Sequence, residues 1–182
     1  VLELPFDYDI ELTNDTLHMF ANHEYVPGGY DKNRAVLDTD IATNITKISA
    51  DLTVNENSAT GVRSGVRLLM LYKPQGYFGS YMNATHATVE LRNEGSGLII
   101  KGWVVQCLDD HCIDAEVIDP VEGDFPYNLP TVNGVTHSAS VEYIAGTNTF
   151  RIEIDGQYAI FNASDFSYFN PADTNLGQFY VY

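Results

Sequence analysis

Two cysteines pose the first chemical question. Cys107 and Cys112 flank Leu108-Asp109-Asp110-His111 in the stretch WVVQCLDDHCI. That interval is the size of a hairpin loop, so a bridge would close across its mouth. In the chain-entropy model so short a ring contributes about 2 kcal/mol, and the bond persists only in an oxidising compartment. Redox catalysis uses tighter C-x-x-C spacing, and a zinc site would need further ligands, of which His111 is the one local candidate. Metal binding and free thiols remain as alternatives; the expectation is a structural disulfide.

A second set of residues suits recognition. Arg63 and Arg67 share one face of a strand predicted over 62–72 and stand about 13 Å apart along it. Glu90 and Arg92 fall on the polar parity of a strand over 87–92, and Lys101 and Trp103 on that of a strand over 98–107. Together these six place the single tryptophan among cations. Planar aromatics stack on sugar rings, and guanidinium groups take a carboxylate or sulfate through paired hydrogen bonds. If the outward sheet face forms a shallow groove, an acidic polysaccharide would suit it. The competing expectation is that Trp103 belongs to the core, that the arginines pair with Glu90, and that the face is covered. Tyr77, Phe78 and Tyr81 form a second candidate platform.

Other constellations are weaker. Glu153 and Asp155 share a strand face through i, i+2 spacing, but Asp155-Gly156 is also what a tight turn requires. His18, His23 and Glu24 have no ligand-like spacing. Calcium is the one cofactor left open, through Asp38 and Asp40, Asp109 and Asp110, or Asp119, Glu122 and Asp124, none in EF-hand spacing. No nucleophile elbow, P-loop, dinucleotide fingerprint or H-E-x-x-H helix is present, and no catalytic residue is assigned.

The elements that would position these residues read as strands. From Val135 to Phe161, Ala139, Val141 and Tyr143 alternate with polar residues, Gly146 to Asn148 interrupts, and Phe150, Ile152 and Ile154 resume the period of two. Asp155-Gly156 reverses the chain again into Tyr158, Ile160 and Phe161. Further strands are expected over 6–12, 17–20, 48–54, 113–118 and 176–182. Residues 31–40 read as a polar connection, 119–133 as a long irregular loop, and 162–173 as holding one short helical turn. About ten short strands with one apolar face each describe an all-β, two-sheet antiparallel β-sandwich of jelly-roll type, a single domain over 1–182.

Composition bounds the function. Hydrophobic residues at 45%, with 12 Tyr and 9 Phe, exclude a disordered chain. The formal net charge of −16 comes from 25 acids against 9 bases. Such a field repels phosphate backbones and anionic lipid, so neither nucleic acid nor membrane insertion is expected. The chain opens on Val1 without a signal-like segment, which suggests a processed or trimmed product. Four Asn-x-Ser/Thr sequons, at Asn14, Asn44, Asn83 and Asn162, agree with an extracellular, periplasmic or cell-surface address.

The hairpin VEYIAGTNTFRIEIDGQ and the pair ISADLTV…VRSGVRLLMLY resemble the concanavalin A-like lectin and glucanase superfamily, laminin G-like modules included. The resemblance spans roughly 46–161 and is one of fold, which hosts lectins, glycosidases, lyases and adhesive modules. Retaining glycosidases of this fold use a carboxylate pair about 5 Å apart. The family pattern adds a further acid to that pair, whereas here Gly156, Gln157 and Tyr158 follow Asp155. TVELR is similar to the R-[ST]-E-L-R strand of alginate-lyase-like members at Glu90 and Arg92. Thr88 replaces its leading arginine, and the Q-[IV]-H strand has no counterpart. The resemblance therefore implies a non-catalytic, lectin-like carbohydrate-binding or adhesion module. Alternatives are a polysaccharide-cleaving lyase or glycoside hydrolase of the same fold, or a structural subunit that self-associates or docks on neighbouring domains of an extracellular assembly.

Overall fold

A computed structural model describes residues 7–13, 16–22, 35–38, 45–54, 65–74, 80–93, 97–123 and 129–181. Among them are thirteen strands: β1 (Asp7–Thr13), β2 (Thr16–Asn22), β3 (Ala35–Asp38), β4 (Lys47–Thr53), β5 (Gly65–Lys73), β6 (Thr85–Asn93), β7 (Leu98–Cys107), β8 (Ala115–Ile118), β9 (Leu129–Thr131), β10 (Thr136–Ile144), β11 (Thr149–Ile154), β12 (Gln157–Asn162) and β13 (Thr174–Val181). The one described helical element is a 3₁₀ turn, Ala163–Asp165, capped by the Asn162 side chain.

Every strand pairing is antiparallel, as short turn-linked strands require. A four-stranded sheet runs β12-β11-β10-β4, and a seven-stranded sheet runs β3-β13-β5-β6-β7-β8 with β9 also on β7; among the described residues β1 and β2 form a separate two-stranded sheet. The two larger sheets pack face to face. Alternation puts Leu68, Met70 and Tyr72 of β5, Ala87, Val89 and Leu91 of β6, and Ile100 and Val104 of β7 on the inner face of the large sheet. Ile48, Leu52, Val141, Phe150, Ile152, Ile154 and Phe161 answer from the small sheet in one continuous core. This is the β-sandwich that the period-two pattern predicts.

The hairpin β11–β12 turns through Asp155 and Gly156, whose φ values of 49° and 80° are the pair of positive angles a two-residue reversal demands. Two elements differ from the sequence reading. β3 lies inside the expected polar connection 31–40, where the short run Ala35-Val36-Leu37 gains strand form by pairing with β13. β9 lies inside the expected irregular loop 119–133 and pairs with β7. The start of that loop is laced to β12 as well: Val121 N donates to Ile160 O, and Ile160 N to Glu122 O. Short segments like these carry too little periodicity to announce themselves, and backbone pairing with a long strand decides them.

The outer face of the large sheet is the feature that alternation alone hides. Leu69, Leu71, Thr88, Glu90 and Cys107 lie on it and are each at most 3% exposed. The uninterrupted run Leu68-Leu69-Met70-Leu71-Tyr72 is the sequence trace of a strand buried on both faces.

Candidate functional site

The register of β5, β6 and β7 builds the outer face row by row. Arg67, Glu90 and Lys101 stand directly across from one another, and Leu69, Thr88 and Trp103 form the next row. Leu71, His86 and Val105 follow, while Gly65, Arg92 and Ile99 lie on the other side. Five of the six residues expected to form a binding face, Arg67, Glu90, Arg92, Lys101 and Trp103, therefore share one patch of three adjacent strands. Arg63 lies outside the described residues, as do Tyr77 and Phe78.

Glu90 is the centre of this patch. Its carboxylate is fully buried, a state that is costly for a charge without partners. Arg67 supplies one side, donating from Nη2 at 2.7 Å and from Nε at 3.2 Å to Oε1. Arg92 supplies the other, donating from Nη1 to Oε2 at 3.3 Å. Arg67 also lies over the Trp103 ring, its guanidinium carbon 5.5 Å from the ring centroid, within cation–π range. Trp103 is half-buried rather than a core residue. Gly65 permits the close approach of β5 to β6 here, since a Cβ would come within 2.2 Å of Leu91 O.

At the other end of the same face the cysteines are joined, Cys107 to Cys112, with 4.7 Å between their Cα atoms. The loop they close is organised by Asp109. Its Oδ1 accepts from His111 N at 2.7 Å and Ile113 N at 3.1 Å, and its Oδ2 from Asp114 N at 2.7 Å. These bonds, that from Asp114 foremost, hold the Asp109 carboxyl below the ordinary carboxylate range. Both oxygens thus serve the backbone, and Asp110 accepts from Ser80. Of the other expected calcium ligands, Glu122 accepts from Tyr158 Oη at 3.0 Å, and Asp40 and Asp124 lie outside the described residues. His86 reaches this end from β6. Its Nε2 lies 3.5 Å from Cys107 Sγ and its ring meets Tyr81 edge-on. Burial, then the nearby Arg67 and Lys73 charges, push the His86 imidazole down to about 4.

Glu153 and Asp155 do not act as a pair. Glu153 binds Arg151 at 2.8 Å, whereas Asp155 accepts from Ser138 N at 2.9 Å and meets His137 Nδ1 at 2.6 Å. His137 is buried, and its Nε2 lies 2.7 Å from Thr131 Oγ1. This hydroxyl–imidazole–carboxylate chain joins β9 of the large sheet to the β11–β12 turn of the small one. The sequence reading missed it, because its members are six and eighteen residues apart and carry no motif. His86 was missed for the same reason: it lies 21 residues from Cys107.

No family model and no curated protein matches the chain. Among solved structures, one described as scytalido-glutamic peptidase with a transition state analog inhibitor is similar over 81% of this chain and 63% of that one. The identity is 15% and the TM-score 0.42. A likeness at that level transfers neither activity nor residue roles. Among the described residues, no helix is long and apolar enough to cross a membrane.

Proposed function

We propose that this chain is a non-catalytic extracellular binding module of concanavalin A-like type, which takes an acidic polysaccharide or glycan on the half-buried Arg67, Arg92, Lys101 and Trp103 side chains of the large sheet. The observation that supports the reading is the Arg67 guanidinium, held between the buried Glu90 carboxylate and the Trp103 ring. Such bracing fixes the orientation of a flexible cation before any ligand arrives, which lowers the ordering cost of binding. Arg92 and Lys101 flank it, so three of the nine basic residues of a chain with net charge −16 gather on one patch. A uronate or sulfate would be steered there by charge and oriented by the half-buried indole. The disulfide supports an oxidising address.

The test is titration calorimetry with uronate and sulfated oligosaccharides, with and without calcium, on the wild type and on Trp103→Ala and Lys101→Gln. Expected is binding that weakens with added salt and falls roughly tenfold in each variant. Unchanged affinity in a folded Trp103→Ala protein would sink the proposed face. Release of reducing ends or of unsaturated uronate during the titration would overturn the non-catalytic reading in favour of a polysaccharide-cleaving enzyme. Absence of glycan binding, together with concentration-dependent assembly, would point to a structural subunit.

A further inference from the structure

The disulfide end of the large sheet gathers three soft or borderline donors, and two of them are joined to each other. The ligand atoms of His86, Cys107 and Cys112 all lie within 4.8 Å of one another. His86 is carried by β6 opposite Val105, two residues before Cys107 on the same face of β7. The sheet, not a loop, aims the imidazole at the sulfur.

The shape of the cysteine loop does not depend on its covalent bond alone. Besides the three bonds to the Asp109 carboxylate, Leu108 N donates to Asp114 O and Cys112 N to Asp109 O. Tyr81 N donates to Asp110 O, Asn83 N to Cys107 O, and Cys107 N to Ala84 O, tying the loop to the start of β6. A ring this short also contributes less closure entropy than a longer one would. These hydrogen bonds would hold both sulfurs beside His86 once the bridge is opened.

We propose that reduction of the Cys107–Cys112 bond turns this cluster into a Cys₂His site for a thiophilic divalent ion, zinc by the nature of its donors, with a fourth position left to water or another ligand. Two thiolates and one imidazole are the donor set of open, non-octahedral zinc sites. Zn–S bonds near 2.3 Å in a tetrahedron put the sulfurs roughly 3.8 Å apart. Rotation of the half-buried Cys112 side chain supplies that separation while the buried Cys107 stays in place. The chemistry balances with a dithiol or a phosphine as reductant. Two electrons cleave the S–S bond and two protons complete the thiols, while the dithiol becomes a cyclic disulfide or the phosphine takes oxygen from water. Metal binding then releases the thiol protons as the sulfurs ligate.

The experiment reduces the full chain with a water-soluble phosphine, verifies the retained sheet signal by circular dichroism, and titrates cobalt(II) followed by zinc. Expected are one cobalt per chain, a thiolate-to-cobalt charge-transfer band that zinc abolishes, and no band in the oxidised protein or in Cys107→Ser/Cys112→Ser. His86→Ala should weaken binding roughly tenfold or more. X-ray absorption on the zinc-loaded wild type, which needs no variant to fold, should show two sulfur neighbours and at least one imidazole nitrogen. Loss of the sheet signal on reduction, no stoichiometric binding by the reduced folded chain, or a shell without imidazole would each overturn the proposal.

Discussion

Glu90 sits with no exposure on a face that simple alternation would leave wet, and its two oxygens each meet an arginine. Removing one member of a buried charge set leaves the others uncompensated, which costs far more than the set contributes as a whole. Glu90→Gln is expected to lose about 3–5 kcal/mol of unfolding free energy in a urea titration; a loss under 1 would show that the arginines are satisfied without it. His86 makes a second prediction at this scale. Its imidazole is held at about 4 in the fold, against about 6.5 in an unfolded chain, so the unfolded state binds the extra proton between those values. The stability this group contributes is complete above pH 6.5 and is lost as pH falls toward 4. The difference amounts to about 3 kcal/mol, at 1.36 kcal/mol for each pH unit. Urea midpoints of the wild type should drop across that window more steeply than those of His86→Gln, and parallel slopes would refute the assignment.

The strands show how unevenly a chain displays its elements. The turn between β11 and β12 was legible because Asp-Gly is chemically suited to two successive positive φ angles. Gly156→Ala forces a Cβ into that region and should cost about 1–2 kcal/mol in thermal or chemical denaturation. Asp155→Ala should cost more, since it also removes the acceptor of Ser138 N and the partner of His137. That second role was not legible: Asp155 reaches His137 only because β10 and β11 pair in the register Ala139 to Ile154. The same distinction holds for the candidate binding face. Parity along β5, β6 and β7 put Arg67, Glu90, Arg92, Lys101 and Trp103 on one side, and consecutive hairpins made those strands neighbours. Parity said nothing of their burial, which the apolar residues Leu69 and Leu71 beside Arg67 already hinted. β3 and β9 escaped notice because strands of four and three residues are made by their partners rather than by their own composition.

At the scale of the molecule, an aromatic cluster joins the two sheets. Tyr72 of β5, Tyr143 of β10, Phe150 of β11 and Phe169 lie with ring centroids 5.1 to 5.8 Å apart, mostly edge to face. Phe150 touches the other three and is fully buried. Phe150→Ala should cost about 3–5 kcal/mol, with loss of the near-ultraviolet dichroism of the cluster, because the surrounding sheets cannot collapse into the space. Four residues drawn from three strands and a loop meet there, and no local pattern in the chain announces it.

The sequence by itself determined the all-β class, the strand parity and the Asp-Gly reversal, and raised the expectation of a bridge between two cysteines a loop apart. All of these are local: they follow from side-chain period, backbone conformational preference and short chain reach. Only the tertiary structure decided that the outer face of the large sheet is buried around Glu90, that His86 rests against the Cys107–Cys112 bridge, and that Thr131, His137 and Asp155 form one chain of contacts. Each of those depends on which strands become neighbours and in what register, a choice set by the packing of the whole core rather than by any single stretch of the chain.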